Sequence, residues 1–173
     1  MILLQIIILI CLAFIFYQDM RYRAVYWICF PVLSLLLLAL KYSLAGFSDG
    51  LTDAGYGLLF LLIQLFFLWI YFSLKKKKMV NIASDYLGWG DILFLIAITF
   101  YLSPGNYVLF YISSLILVLI YAICGGYLQE KEENKHIPLA GLQAGLLGLL
   151  MVTDYLLQAF ALYSDSWIYI LMS

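Results

Sequence analysis

The sequence predicts an all-α polytopic membrane protein, with six transmembrane helices in a single membrane-embedded domain over residues 1–173. Three observations predict it. Of the 173 residues 66% are hydrophobic and only 11% charged, with a mean hydropathy of +1.05, whereas a soluble domain is about half apolar and about a quarter charged. The apolar residues fall into six runs near the length of about 20 residues that a spanning helix needs, without the period-2 alternation of a membrane barrel. The positive charges are lopsided once those runs are taken as spans. This composition excludes a soluble globular enzyme, a disordered chain and a nucleic-acid binder, and a formal net charge of -1 points to no polyanionic partner.

The first run, Met1 to Gln18, has no early Lys or Arg and no Ala-x-Ala after it. It therefore reads as a retained transmembrane helix and not as a removable signal peptide. The second runs from about Ala24 to Leu44 and the third from about Ala54 to Leu74. The fourth covers Tyr86 to Leu102 and is stopped by Ser103-Pro104-Gly105. The fifth covers Tyr107 to Leu128, and the sixth, Ile137 to Tyr163, is long enough to tilt. With six spans, Arg21, Arg23, Lys75, Lys76, Lys77, Lys78, Lys131 and Lys135 share one side and Lys41 stands alone on the other. The positive-inside rule makes the crowded side cytoplasmic and leaves both termini outside, in a plasma (inner) membrane. Tyr and Trp near the span ends form the usual interfacial belt. Cys11, Cys29 and Cys124 lie in apolar runs with no CxxC spacing, so they are packing residues and neither a zinc site nor a disulfide framework.

Ionisable residues at a membrane boundary are costly and so are functional candidates. Asp154 lies about 25 Å into the sixth span, where solvation at the outer surface explains it. Asp19 closes the first span beside Arg21 and Arg23. Asp91 stands in Gly88-Trp89-Gly90-Asp91 and leads straight into the apolar run Ile92-Leu93-Phe94-Leu95-Ile96. Gly88 and Gly90 lower helix propensity at that start, and serve where another backbone must approach closely or the helix must open. Asp19 ends an inward-going span and Asp91 begins an outward-going one, so both fall at one membrane face and at similar depth. Two carboxylates that meet there cannot both ionise easily. The charged one can take a proton from water while the protonated one polarises a carbonyl, which is the chemistry of peptide-bond hydrolysis.

These residues resemble the prepilin and preflagellin peptidases, membrane aspartyl proteases of the Gly-x-Gly-Asp group. The second catalytic aspartate of that family is the last residue of the Gly-x-Gly-Asp motif, here Asp91 after Gly88 and Gly90. The first leads an arginine-rich turn, as in Asp19-Met20-Arg21-Tyr22-Arg23-Ala24-Val25. An acidic residue often stands six positions before the second aspartate, where Asp85 stands here, and Ile137-Pro138-Leu139-Ala140-Gly141 is similar to a late Ile-Pro-rich helix start of the bacterial members. The sequence departs from the family at Tyr26-Trp27, in place of Pro-Asn, and at Leu93, in place of a frequent Lys. It also lacks the cysteine-pair zinc region of the methylating members. The resemblance thus implies a short-form aspartic endopeptidase, with Asp19 and Asp91 catalytic and Gly88, Gly90, Asp85, Arg21 and Arg23 supporting. It needs no metal or other cofactor. It cuts the basic leader from a type IV prepilin-like precursor without N-methylation, and its partners are that precursor and the lipid bilayer.

The remaining signals are weaker. Lys75 to Lys78 anchor the topology and meet anionic headgroups. His136 stands in a charged loop without the convergent ligands that a metal needs. Gly141, Gly145 and Gly148 make a small-residue stripe suited to helix packing. Two other readings compete: a small ion- or proton-coupled transporter subunit using the same aspartates, and a catalytically silent relative that acts by binding. The transporter reading expects polar groups at mid-span, where the chain offers few, chiefly the uncharged Gln64 and Thr99.

Overall fold

The computed structural model describes residues 1–77, 81, 87–124, 138–157 and 161–166, with Phe47 and Leu157 described in their backbone alone. Among the described residues there are six α-helices and no strand. They are α1 (Ile2–Tyr22), α2 (Cys29–Ala45), α3 (Phe47–Lys76), α4 (Trp89–Ile98), α5 (Pro104–Cys124) and α6 (Leu139–Leu157).

Four helices are long and apolar enough to cross a membrane: α1, α3, α5 and α6. The other two runs read as spans form shorter helices, of 17 residues in α2 and 10 in α4. At 1.5 Å per residue, α4 covers about half of a hydrocarbon core about 30 Å thick. It stops because the backbone tightens. Thr99 donates its hydroxyl to the Ile96 carbonyl at 2.7 Å, and the N–H groups of Thr99, Phe100 and Tyr101 all bond three residues back. Such a turn ends a helix from within an apolar run, where composition alone predicts continuation. The opposite departure occurs in α1, which runs one turn past Gln18 and so takes Asp19 into its last turn.

Burial explains the arrangement. Ile8, Leu12 and Ile15 of α1 repeat at helical spacing and meet Leu33, Leu37 and Leu40 of α2, Phe94 and Ile98 of α4, and Ala144 and Leu147 of α6. The most extensive interface joins α1 to α6, and α4 wedges against α2 and α6. The reverse faces stay apolar: Leu62, Phe66 and Phe67 of α3, and Leu115, Ile116 and Leu119 of α5, are exposed. Helices that are apolar all round, with half their girth uncovered, suit a lipid solvent. Of the cysteines, Cys29 is buried and Cys11 half-buried, whereas Cys124 is exposed on α5.

Polar groups collect at the two ends of the bundle. At one end the α2 residue Lys41, 1% exposed, donates to Asp53 of α3 at 2.7 Å and to the backbone carbonyl of Tyr163. Nearby, Asp165 caps the start of α5, accepting from the Ser103 hydroxyl at 2.6 Å and from the Gly105 and Asn106 N–H groups. Asn106 in turn donates its side-chain amide to the carbonyls of Ala161, Leu162 and Ser164. These bonds fold 161–166 over the ends of α2 and α5. Lys41→Met leaves Asp53 and the Tyr163 carbonyl without their cation. The expected cost is about 2 to 3 kcal/mol, below the figure for a fully buried pair because Asp53 stays 25% exposed. Thermal unfolding in detergent measures it, and the double variant K41M/D53L is expected to be milder than K41M alone.

Candidate functional site

The other end of the bundle gathers the last turn of α1, the first turn of α4 and the first turn of α6. Asp19 reaches this end because it lies on the buried face of α1, four residues after Ile15. It is 7% exposed, and its Oδ2 accepts the Gly141 N–H at 2.6 Å. Asp91 enters from α4. Its Oδ1 accepts the Ala140 N–H at 2.8 Å, and its Oδ2 accepts the Gly88 N–H at 3.0 Å.

Both carboxylates therefore rest on consecutive backbone amides in the first turn of α6. The two hydrogen bonds, with the covalent bonds between the Ala140 and Gly141 nitrogens, hold Asp19 Oδ2 and Asp91 Oδ1 within about 10 Å of each other. Those amides have no intrahelical acceptor, and the helix dipole favours negative charge there. Pro138 precedes the turn and contributes no N–H, while its carbonyl accepts from Leu142. The α6 start is thus a ready seat for two acids that would otherwise repel.

Gly88 and Gly90 do different work. Gly88 is the N-cap of α4, and Asp91 at the third helical position reaches back to its N–H. A Cβ on Gly88 would stand 3.1 Å from Asp91 Oδ2, whereas a Cβ on Gly90 would meet only the Phe30 ring at an ordinary 3.5 Å. Among the described residues no other backbone comes close at either glycine; the tight neighbour at Gly88 is the Asp91 side chain of the same helix. A tighter one occurs at Gly141, where a Cβ would lie 2.9 Å from Asp19 Cβ and 3.0 Å from its Oδ2.

The two arginines sit on the exposed rim. Arg21 donates to the Tyr17 hydroxyl at 2.7 Å and lies over the Tyr17 and Tyr22 rings. Arg23 takes the left-handed conformation that ends α1, and its N–H bonds the Asp19 backbone carbonyl. Gln18, also buried, accepts the Tyr26 N–H at 3.3 Å and so ties the chain beyond α1 to the helix. Beside it a groove of ≈ 550 Å³ opens between Phe14, Tyr17, Tyr22, Val25 and Tyr26. Tyr26 and Trp27 are exposed, and Leu93 packs against the core. Lys75, Lys76 and Lys77 extend from the end of α3, and Lys75 lies over the Tyr71 ring. Asp85, Lys78, Lys131, Lys135, His136 and Ile137 lie outside the described residues.

The sequence assigns no role at the site to Gln18, Ala140 or Gly141, although Ala140 and Gly141 belong to the stretch that resembles a helix start of the bacterial members. Ala140 and Gly141 act through backbone N–H groups, so their side-chain identity carries no chemical signal. A Pro two or three residues before a small-residue pair marks a tight helix start and was the available hint. Among the described residues no cluster of His, Cys, Asp and Glu could hold a metal ion. No family model, no curated protein and no solved structure matches the chain, so the reading of this site rests on its own residues and geometry.

Proposed function

We propose that the chain is a membrane aspartic endopeptidase that removes the leader of type IV prepilin-like precursors at the cytoplasmic membrane face. One observation carries the reading: Asp19 and Asp91, 72 positions apart in sequence, meet on adjacent amides of α6. Asp91 also caps its own helix through the Gly88 N–H, but its other oxygen leaves that helix, as does the Asp19 carboxylate. Here two acids from two helices converge on a third with no basic side chain between them in the described contacts.

Hydrolysis then needs one charged and one protonated member. The charged carboxylate takes a proton from water, and the resulting hydroxide adds to the scissile carbonyl carbon. The protonated carboxyl gives its proton to the carbonyl oxygen. Collapse of the tetrahedral adduct breaks the C–N bond: the proton taken from water goes to the departing amine, and the proton given to the carbonyl oxygen returns to the second carboxylate, which restores the pair. The Ala140 and Gly141 amides fix the two oxygens that bound the reacting centre. The groove beside Gln18 offers an extended peptide a route from the rim toward Asp19. The arginines and the α3 lysines stand at this same end of the bundle, the pattern of a cytoplasmic face.

The test is cleavage by the purified protein in liposomes. A precursor with a short basic leader and a long apolar helix is expected to lose the leader at a single bond, read by product mass. The double variant D19N/D91N is expected to leave it intact. Intact precursor with wild-type protein, or cleavage by the double variant, overturns the proposal. Proton or cation flux without cleavage would favour the transporter reading instead.

A further inference from the structure

A second feature lies at the opposite end of the bundle, away from the two acids. The start of α1, the end of α6 and the segment after α4 enclose a slot of ≈ 270 Å³. Its walls are alkyl side chains, chiefly Ile6, Leu9, Val152 and Leu156, and its polar side chains are Gln5, Tyr101, Asp154 and Tyr155. Tyr101 is 2% exposed and lines the slot together with Asp154. Asp154 brings its carboxyl group to the lining of this slot from the end of α6.

Asp154 pairs with no cation among the described residues. It also stands in the last turn of α6, where the unpaired carbonyls already carry partial negative charge and a cation is favoured. A carboxylate at that position, lining an apolar slot at the end of the bundle, suits a ligand with a cationic head and an alkyl body.

We propose that this slot binds one phospholipid with a primary-ammonium head group, its ammonium on Asp154 and one acyl chain between α1 and α6. A primary ammonium has three N–H donors and can meet the Asp154 carboxylate and the Tyr101 phenol oxygen together. A quaternary choline head has no N–H donor. A glycerol head leaves the lipid phosphate facing Asp154 with no cation between them. The order of preference follows: ethanolamine, then choline, then glycerol heads.

The test uses the purified full chain in detergent with equimolar phosphatidylethanolamine, phosphatidylcholine and phosphatidylglycerol of identical acyl chains. Lipid retained on the protein is read by native mass spectrometry. The ethanolamine lipid is expected to be retained about tenfold over the choline lipid, the margin of one charge-assisted hydrogen bond. Asp154→Asn is expected to bring that ratio to near one with total bound lipid unchanged. Equal retention on the wild-type protein, or an undiminished ratio in D154N, overturns the proposal. Displacement of the lipid by soluble phosphoethanolamine would make this a site for a free amine and overturn it too. If D154N does not fold, Ile6→Trp fills the slot with Asp154 in place. That variant is expected to lose the ethanolamine lipid, and unchanged retention would refute the assignment.

Discussion

Asp19→Asn and Asp91→Asn are each expected to lower kcat on a prepilin-like precursor by at least about 100-fold, the lower end of what a positioned general acid or base contributes. The two variants separate chemistry from structure. Asn keeps one side-chain carbonyl oxygen, and among the described residues Asp19 uses one, for the Gly141 N–H. D19N can therefore keep its interhelical bond and is expected to unfold within about 0.5 kcal/mol of wild type, as for a change without a lost partner. Asp91 uses both oxygens, one on Ala140 and one on Gly88. Asn can serve only one of these, and turns a donor toward the other. D91N is expected to lose about 1 kcal/mol, the worth of a helix cap, as well as its activity. Single-turnover cleavage and thermal unfolding on the same preparations check both halves. A D19N enzyme within threefold of wild-type kcat would remove Asp19 from the proposed chemistry.

The pairing of Asp19 with Asp91 was legible in sequence because it rests on parity. An even number of expected crossings returns an acid to the same face, and the lysine and arginine distribution points to an even number without knowledge of any helix end. The lengths of the elements were less legible. Composition carries α4 through to Leu102, yet three-residue backbone bonds stop it at Ile98, and Gly57 of α3 comes close to Thr99 at that turn. Local hydrogen bonding inside an apolar run leaves hydropathy unchanged. Lys41 shows a different gap. It reads as one stray positive charge on the sparse side, whereas its meaning lies in Asp53 and the Tyr163 carbonyl, 12 and 122 positions away. Asp53 and Asp165 look like ordinary loop acids until the fold brings them to a buried lysine and to a bare helix start. The Gly141–Gly145–Gly148 stripe was read correctly as a packing face, but only its first member touches an acid.

That stripe is graded, and the grading predicts a graded loss. At Gly141 a Cβ would fall 2.9 Å from Asp19 Cβ, an atom fixed to the α1 backbone that cannot swing aside. Gly141→Ala must therefore push α1 and α6 apart or rotate them, at a cost of about 1 to 3 kcal/mol for overpacking. The displacement acts where the Gly141 N–H holds the Asp19 carboxylate, and a shift of about 1 Å at a reacting group can cost about 100-fold in rate. At Gly145 the nearest atom is a ring carbon of Phe16 at 3.1 Å, and Phe16 is an exposed side chain with room to turn. Gly145→Ala is expected to keep activity within about threefold, since a rotamer change costs about 1 kcal/mol or less. At Gly148 the added methyl would meet Leu9 and Leu12 at an ordinary 3.9 and 4.0 Å. Gly148→Ala is expected to be silent in cleavage and to gain up to about 1 kcal/mol from helix propensity. Measured together, the three variants tell a catalytic seat from a generic packing face. If the α6 start only packs helices, losses should follow the stability change at all three positions. If it seats the acids, Gly141→Ala should lose far more activity than its unfolding midpoint explains.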